Sequence, residues 1–151
     1  MIKLEEAIQQ GRGFQSEWHR CLVNIIFTYN FVKQNLSEFL EQYGLTMQQY
    51  NVLRIVNGQF PGGISSSGIQ ERMLDKHSDV SRIIKRLEKA EFIAKSKNPN
   101  NKRALHIEIT AKGRLLVQEI MANEYHSLLL KPFLSEQDAA QLNDLLDAVR
   151  G

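Results

Sequence analysis

Ser78-Asp-Val-Ser-Arg-Ile-Ile-Lys-Arg-Leu-Glu-Lys-Ala90 is the stretch on which the fold turns. Wound as an α-helix at about 100° per residue, it gathers Val80, Ile83, Ile84 and Leu87 within roughly 100° of arc. Ser78, Arg82, Lys85, Arg86 and Lys89 fall on the opposite side. One short helix therefore buries a compact apolar stripe and holds a basic row away from it. Such a row suits a polyanion, and equally it suits a solvated helix that binds nothing. Its surroundings must decide.

Immediately upstream, Ser65-Ser-Ser67 offers an N-cap for a helix through about Leu74, anchored by Ile69 and Met73. A turn at Leu74–His77 separates it from the basic helix. Downstream, Phe92-Ile-Ala-Lys-Ser-Lys97 and Ala104-Leu-His-Ile-Glu-Ile109 are short strand candidates, the second alternating in period two. Asn98-Pro-Asn-Asn101 is turn chemistry between them, with Lys97, Lys102 and Arg103 at its shoulders. A short helix supporting a basic helix is helix-turn-helix organisation, and a hairpin placed next makes it winged. The helix fits the B-DNA major groove, while the hairpin reaches adjacent phosphates or the narrower groove. The hairpin's charges have a blander use as well, in blunting an exposed edge.

Farther out the pattern is helical. Trp18, Leu22, Ile25, Tyr29, Val32, Leu36, Phe39 and Tyr43 recur at spacings of four and three. They predict a helix over about residues 14–43 with a seam about 37 Å long. A seam of that length overhangs a small core and calls for a partner helix. Gly44 ends it, and Thr46-Met-Gln-Gln49 opens the next helix, near Met47–Asn57, with a capping box. Gly58 to Gly63 read as a loop. Thr110 caps a helix predicted to run to about Leu130, with Leu115, Leu116, Val117, Ile120 and Tyr125 or Leu128 among its apolar positions. Pro132 ends it. The last helix, from Ser135 or Asp138, has Leu142, Leu145, Leu146 and Val149 on its apolar face. The fold class is thus mainly α with a small β-hairpin wing.

Composition excludes more than it identifies. The 151 residues, 42% hydrophobic and 24% charged, suit one soluble globular domain. No apolar run approaches the roughly 18 residues that span a bilayer, and the start lacks a secretory pattern. One cysteine cannot build a disulfide framework, so the cytoplasm is the expected location. The net charge of +2 conceals a dipole: residues 72–112 carry eleven Lys/Arg against five Asp/Glu, while the rest balances at −4. A basic middle between acidic ends suits a polyanion on one face. Gly63-Ile-Ser-Ser-Ser67 is neither a nucleophile elbow nor a phosphate loop, and helix capping accounts for it. His19, His77, His106 and His126 show no metal spacing. Neither catalysis, metal nor cofactor is expected.

Three segments carry a resemblance to the MarR family of bacterial regulators: Gly44-Leu-Thr-Met-Gln-Gln-Tyr-Asn-Val-Leu53, Ser78 to Glu88, and Asn101-Lys-Arg-Ala-Leu-His-Ile-Glu-Ile-Thr-Ala-Lys-Gly113. The resemblance implies a single domain over residues 1–151, with a winged-helix core at 45–110. Residues 14–43 and 111–150 would form the helical dimerisation region, using Trp18, Leu22, Ile25, Leu142, Leu145, Leu146 and Val149. It implies a homodimer that presents two winged helices to successive half-sites of double-stranded DNA, in the manner of a repressor. Ser78, Asp79, Ser81, Arg82, Lys85, Arg86 and Lys89 would supply the recognition helix. Lys97, Asn100, Asn101, Lys102 and Arg103 would supply the wing. Two positions depart from the family's pattern. Asn101 stands where the wing motif has aspartate before its arginine, here Arg103. Glu91 stands where a glycine usually follows the recognition helix.

Two features admit further uses. Relatives that sense peroxide through a cysteine in the first helix draw attention to Cys21. In projection Cys21 sits at the seam's edge, where a buried, inert thiol is expected, since reactivity needs exposure or a depressing positive neighbour. Trp18, Phe27, Tyr29 and Phe31 could line a pocket for a small aromatic effector, although packing and dimer burial explain them more cheaply. The rival from another class is a dimeric protein-interaction module whose basic helix binds an acidic partner.

Overall fold

The computed structural model describes residues 2–98, 101–123 and 129–151, with backbone alone at 97, 98 and 101–105. Its helices are α1 (Leu4–Ala7), α2 (Glu17–Glu41), α3 (Met47–Asn57), α4 (Ser66–Arg72), α5 (Val80–Lys89), α6 (Ala111–Ala122) and α7 (Glu136–Arg150). Strands β1 (Ile93–Asn98) and β2 (Asn101–Ile109) form an antiparallel hairpin between α5 and α6. The architecture is mainly α with a small β-hairpin wing, as the sequence predicts.

Local chemistry fixes where the helices begin. Ser16, Thr46, Ser65, Asp79, Thr110 and Ser135 each accept a hydrogen bond from the backbone N–H three residues on. Each satisfies one of the donors that a helix start leaves free. At α3 the Gln49 side chain returns the bond to Thr46 N, completing the predicted box. The end of α2 is equally local. Gly44, at φ +66°, lets Leu45 N reach Leu40 O and Gly44 N reach Glu41 O.

The core lies under the winged helix. Val52, Leu53 and Val56 of α3 meet Ile69 and Met73 from α4, Ile84 and Leu87 from α5, and Ile93 and Ile107 from the hairpin. Val117 and Ile120 of α6 close it, and Leu40 is what α2 buries. The hairpin register pairs Ile93 with Ile109 and Lys95 with Ile107. Ile64 also pairs with Ile107 through an isolated β-bridge that the loop chemistry of residues 58–63 does not reveal. Asn98 and Asn101, the ends of the predicted turn, pair with each other as the last residues of the two strands.

Two expectations about helices are corrected. The helix predicted to reach Leu130 ends at Ala122, where Asn123 caps it and donates its side-chain N–H to Tyr43 Oη at 2.6 Å. Tyr125 and Leu128, named above as apolar positions, lie outside the described residues. Cys21, expected to be buried, is exposed. The sequence also gave no sign of α1. Leu4 is buried, and Arg20 Nε donates to Glu5 Oε1 at 2.7 Å, docking the N-terminal arm against α2.

Candidate nucleic-acid interface

Helix α5 is built as the periodicity requires. Val80, Ile84 and Leu87 are buried and Ile83 is partly so. Ser81, Arg82, Lys85, Arg86 and Lys89 are exposed. Among the described residues, none of those four cations has an ion-pair partner. An unpaired cation is still solvated and still available, so nothing in the chain must be broken before it meets a phosphate. By contrast Glu88, on the same helix, is neutralised by Lys95 of β1 at 2.5 Å. The local field is therefore more positive than the sequence of α5 alone suggests.

Ser78 and Asp79 are placed differently from the other predicted contacts. Both precede α5. Ser78 is half-buried and its Oγ is enclosed without a hydrogen-bond partner. Asp79 Oδ1 accepts from Arg82 N at 3.0 Å and so serves as the cap. Together with Thr46, Gln48, Asp75, Arg82, Ile83 and Arg86 they line a shallow cleft of about 260 Å³.

Several residues that sequence inspection passed over hold α5 in place. Asn51 Oδ1 accepts from Leu74 N at 2.9 Å, tying α3 to the turn between α4 and α5. Gln70 Nε2 donates to Lys76 O at 2.8 Å, closing that turn from the α4 side. At the other end, Glu91 adopts φ +62°. Phe92 N then reaches Leu87 O, and Glu91 N reaches Glu88 O, a Schellman termination without its usual glycine. Thr110 Oγ1 donates to Glu91 O at 2.7 Å, and Lys112 Nζ donates to Ala90 O at 2.9 Å. Gly113 sits so near that a Cβ there would lie 2.1 Å from Phe92 O. Helix α5 is thus fastened at both ends by polar contacts whose partners are 18 to 23 residues away. No periodicity reports contacts of that range.

The predicted wing contacts Lys97, Asn100, Asn101, Lys102 and Arg103 fall outside the described side chains. What is described is the wing's base, where the Ser96 hydroxyl donates to Glu108. The residues predicted for dimerisation are largely uncovered. Trp18 is 86% exposed, Leu145 66% and Val149 67%, and α7 buries no residue at all. Leu22 and Leu142 are exposed, while Ile25 and Leu146 are half-buried. Among the described residues no group of His, Cys, Asp and Glu could hold a metal ion, and no helix is long and apolar enough to cross a membrane.

Comparison with known proteins agrees with this geometry. The MarR family model matches residues 45–105. Over 89 residues the chain is 27% identical to the HTH-type transcriptional regulator PapX of Escherichia coli, a match covering 59% of this chain and 54% of PapX. The chain thus spans about half the length of PapX. It is 28% identical to the HTH-type transcriptional repressor MdtR of Bacillus subtilis, over 73% of this chain and 70% of MdtR. A mutant MarR from E. coli, solved in complex with operator DNA, shares the fold with a TM-score of 0.76 at 20% identity. That superposition covers 91% of this chain and 99% of the other.

Proposed function

We propose that this chain, whose residues 45–105 match the MarR family model, is a sequence-specific DNA-binding transcription regulator of that type acting as a homodimer. One observation carries the reading. Arg82, Lys85, Arg86 and Lys89 stand exposed, with no ion-pair partner among the described residues, on a helix whose other side, Val80, Ile84 and Leu87, is locked in the core. Phosphate contacts from such cations release counterions and supply affinity, while side chains near the helix start reach base edges and supply sequence preference. Two copies related by a two-fold axis would present their recognition helices one turn of duplex apart. In this reading the uncovered apolar faces of α2 and α7 join the copies, and Lys97, Asn100, Asn101, Lys102 and Arg103 extend the contact along the backbone.

Regulation is proposed to be repression, in the direction that the name of MdtR states for that relative. Release by a small aromatic effector completes the proposal, and a thermal-shift screen of phenolic acids that moves nothing removes that part.

Selection of bound sequences from random duplex DNA tests the core of it. The expected result is an enriched, two-fold symmetric site. Its binding should weaken steeply between low and physiological salt, with each phosphate-contacting cation adding about 0.9 to the log–log slope. Indifference to all duplexes at low salt, with binding to an acidic protein instead, would establish the interaction-module alternative.

A further inference from the structure

Charge along the exposed side of α5 is uneven. Four cations occupy the helix body, but the residue at its leading end is Asp79. Its Oδ1 takes the cap bond from Arg82 N at 3.0 Å, and the carboxylate has no ion-pair partner among the described residues. Capping alone does not call for that charge. The other capped helices, α2, α3, α4, α6 and α7, are served by the hydroxyls of Ser16, Thr46, Ser65, Thr110 and Ser135. Among the described helices, the one proposed to meet DNA is the one capped by a carboxylate. Asp75 lines the same cleft and adds a second carboxylate beside Asp79, while Arg82 and Arg86 line it from the helix body.

A carboxylate carried toward DNA is repelled by every phosphate and by most of what the major groove displays. Guanine shows N7 and O6, and thymine shows O4, all acceptors. Adenine shows an amino donor beside the N7 acceptor. Cytosine shows only the N4 amino group, which makes it the one base edge that offers a donor without an adjacent acceptor. Building on the DNA-binding reading, we propose that Asp79 is a specificity-determining residue. Its second carboxylate oxygen accepts from cytosine N4 in each half-site, and the charge rejects guanine and thymine at that position. The acidic tip lowers affinity for arbitrary sequence, and the four cations behind it restore affinity where cytosine is present.

Two variants separate this role from capping, because both keep a cap acceptor: Asp79→Ser and Asp79→Asn. Site selection is run on wild type and both variants, alongside thermal melting to confirm folding. Wild type is expected to require cytosine at one position of each half-site. Asp79→Ser should lose that preference alone, with discrimination there falling roughly tenfold, the order of one mismatched pair. It should also bind non-specific duplex more tightly with an unchanged salt slope, since no phosphate-contacting cation is altered. Asp79→Asn keeps its oxygen on the cap and turns an amide N–H toward the base, so the preference should shift from cytosine to an acceptor edge, guanine or thymine. Wild-type preferences retained at every position by both variants would overturn the proposal while leaving the regulator intact. Adenine in place of cytosine in the wild-type site would overturn the base assignment. A wild type that selects no sequence would overturn the DNA-binding reading itself, and this inference with it.

Discussion

At the scale of single residues, two backbone positions concentrate the strain and the closeness on which α5 depends. Glu91 occupies the left-handed region at φ +62°, where a side chain costs about 1–2 kcal/mol that glycine avoids. Replacing it with glycine sacrifices unfolded-state entropy of about 0.5–1 kcal/mol and an exposed contact with Lys112 at 3.6 Å worth little. Glu91→Gly is therefore expected to stabilise the fold by about 0.5–1 kcal/mol, seen as a rise of roughly 2–4 °C in thermal melting. A fall in melting temperature would show that Glu91 contributes something beyond its backbone. Gly113 behaves in the opposite sense. A methyl group there meets the Phe92 carbonyl, part of the rigid turn that ends α5, at 2.1 Å. Gly113→Ala should cost about 3 kcal/mol, the upper range of overpacking, and denaturant melts would reveal it as a lower midpoint with an unchanged slope. Glu5 adds a pH dependence. Its own backbone hydrogen bonding and the Arg20 guanidinium hold its carboxyl below the ordinary carboxylate range. A depressed value means that the docking of α1 is present at neutral pH and is lost as pH falls through the lowered value. Proteolysis within residues 8–15 should accelerate below about pH 4, the ordinary carboxylate range, in wild type. Glu5→Gln should show fast cleavage at every pH.

At the scale of elements, the molecule was legible wherever its determinants are local. Caps at Thr46, Ser65, Thr110 and Ser135, the glycine stop at Gly44 and the two-faced helix at Val80–Lys89 were each visible in short windows. Their physics is completed within one or two turns. Ile64 escaped because a single bridge to Ile107 has no period, and α6 was overextended because the apolar spacing carries no signal of the cap at Asn123. The exposed cations of the candidate site were legible for the same reason as the helix. What was hidden is the scaffold that aims them: Asn51 on the turn, Thr110 and Lys112 on the last carbonyls of the α5 region, and Lys95 on Glu88. Each joins segments that the chain brings together only on folding. The consequence at this scale is a division of labour within α5. Arg82→Ala or Arg86→Ala should weaken a selected site by roughly 1–3 kcal/mol if the arginine reads a base. An equal loss on every sequence, with the salt slope reduced by about 1, assigns that arginine to a phosphate instead.

At the scale of the whole molecule, the decisive feature is apolar surface left without cover. A 25-residue helix that fully buries only Leu40, with Leu36 and Phe39 packed partly on the core, is held by its own chain chiefly at its C-terminal end. Trp18, Leu22, Phe27 and Phe31 of α2 and Leu142, Leu145 and Val149 of α7 are exposed together, so the two helices lack a common core. Isolated proteins rarely expose so many large side chains on two elements at once, and an obligate interface resembles such surfaces brought together. The expected outcome is a dimer by analytical ultracentrifugation at micromolar concentration. Leu145→Glu with Val149→Glu places carboxylates on the exposed stripe of α7, far in sequence from the winged-helix core and touching nothing buried there. That double variant should sediment as a monomer or unfold. The two outcomes are separated by the near-native signal of the core, built around α3, α5 and the hairpin. If the core persists, the loss of the second recognition helix predicts a 10²–10⁴-fold drop in affinity for a two-half-site duplex, with little change on a single half-site. A double variant that stays dimeric, or that binds the full site as wild type does, would mean that α7 is not what joins the copies.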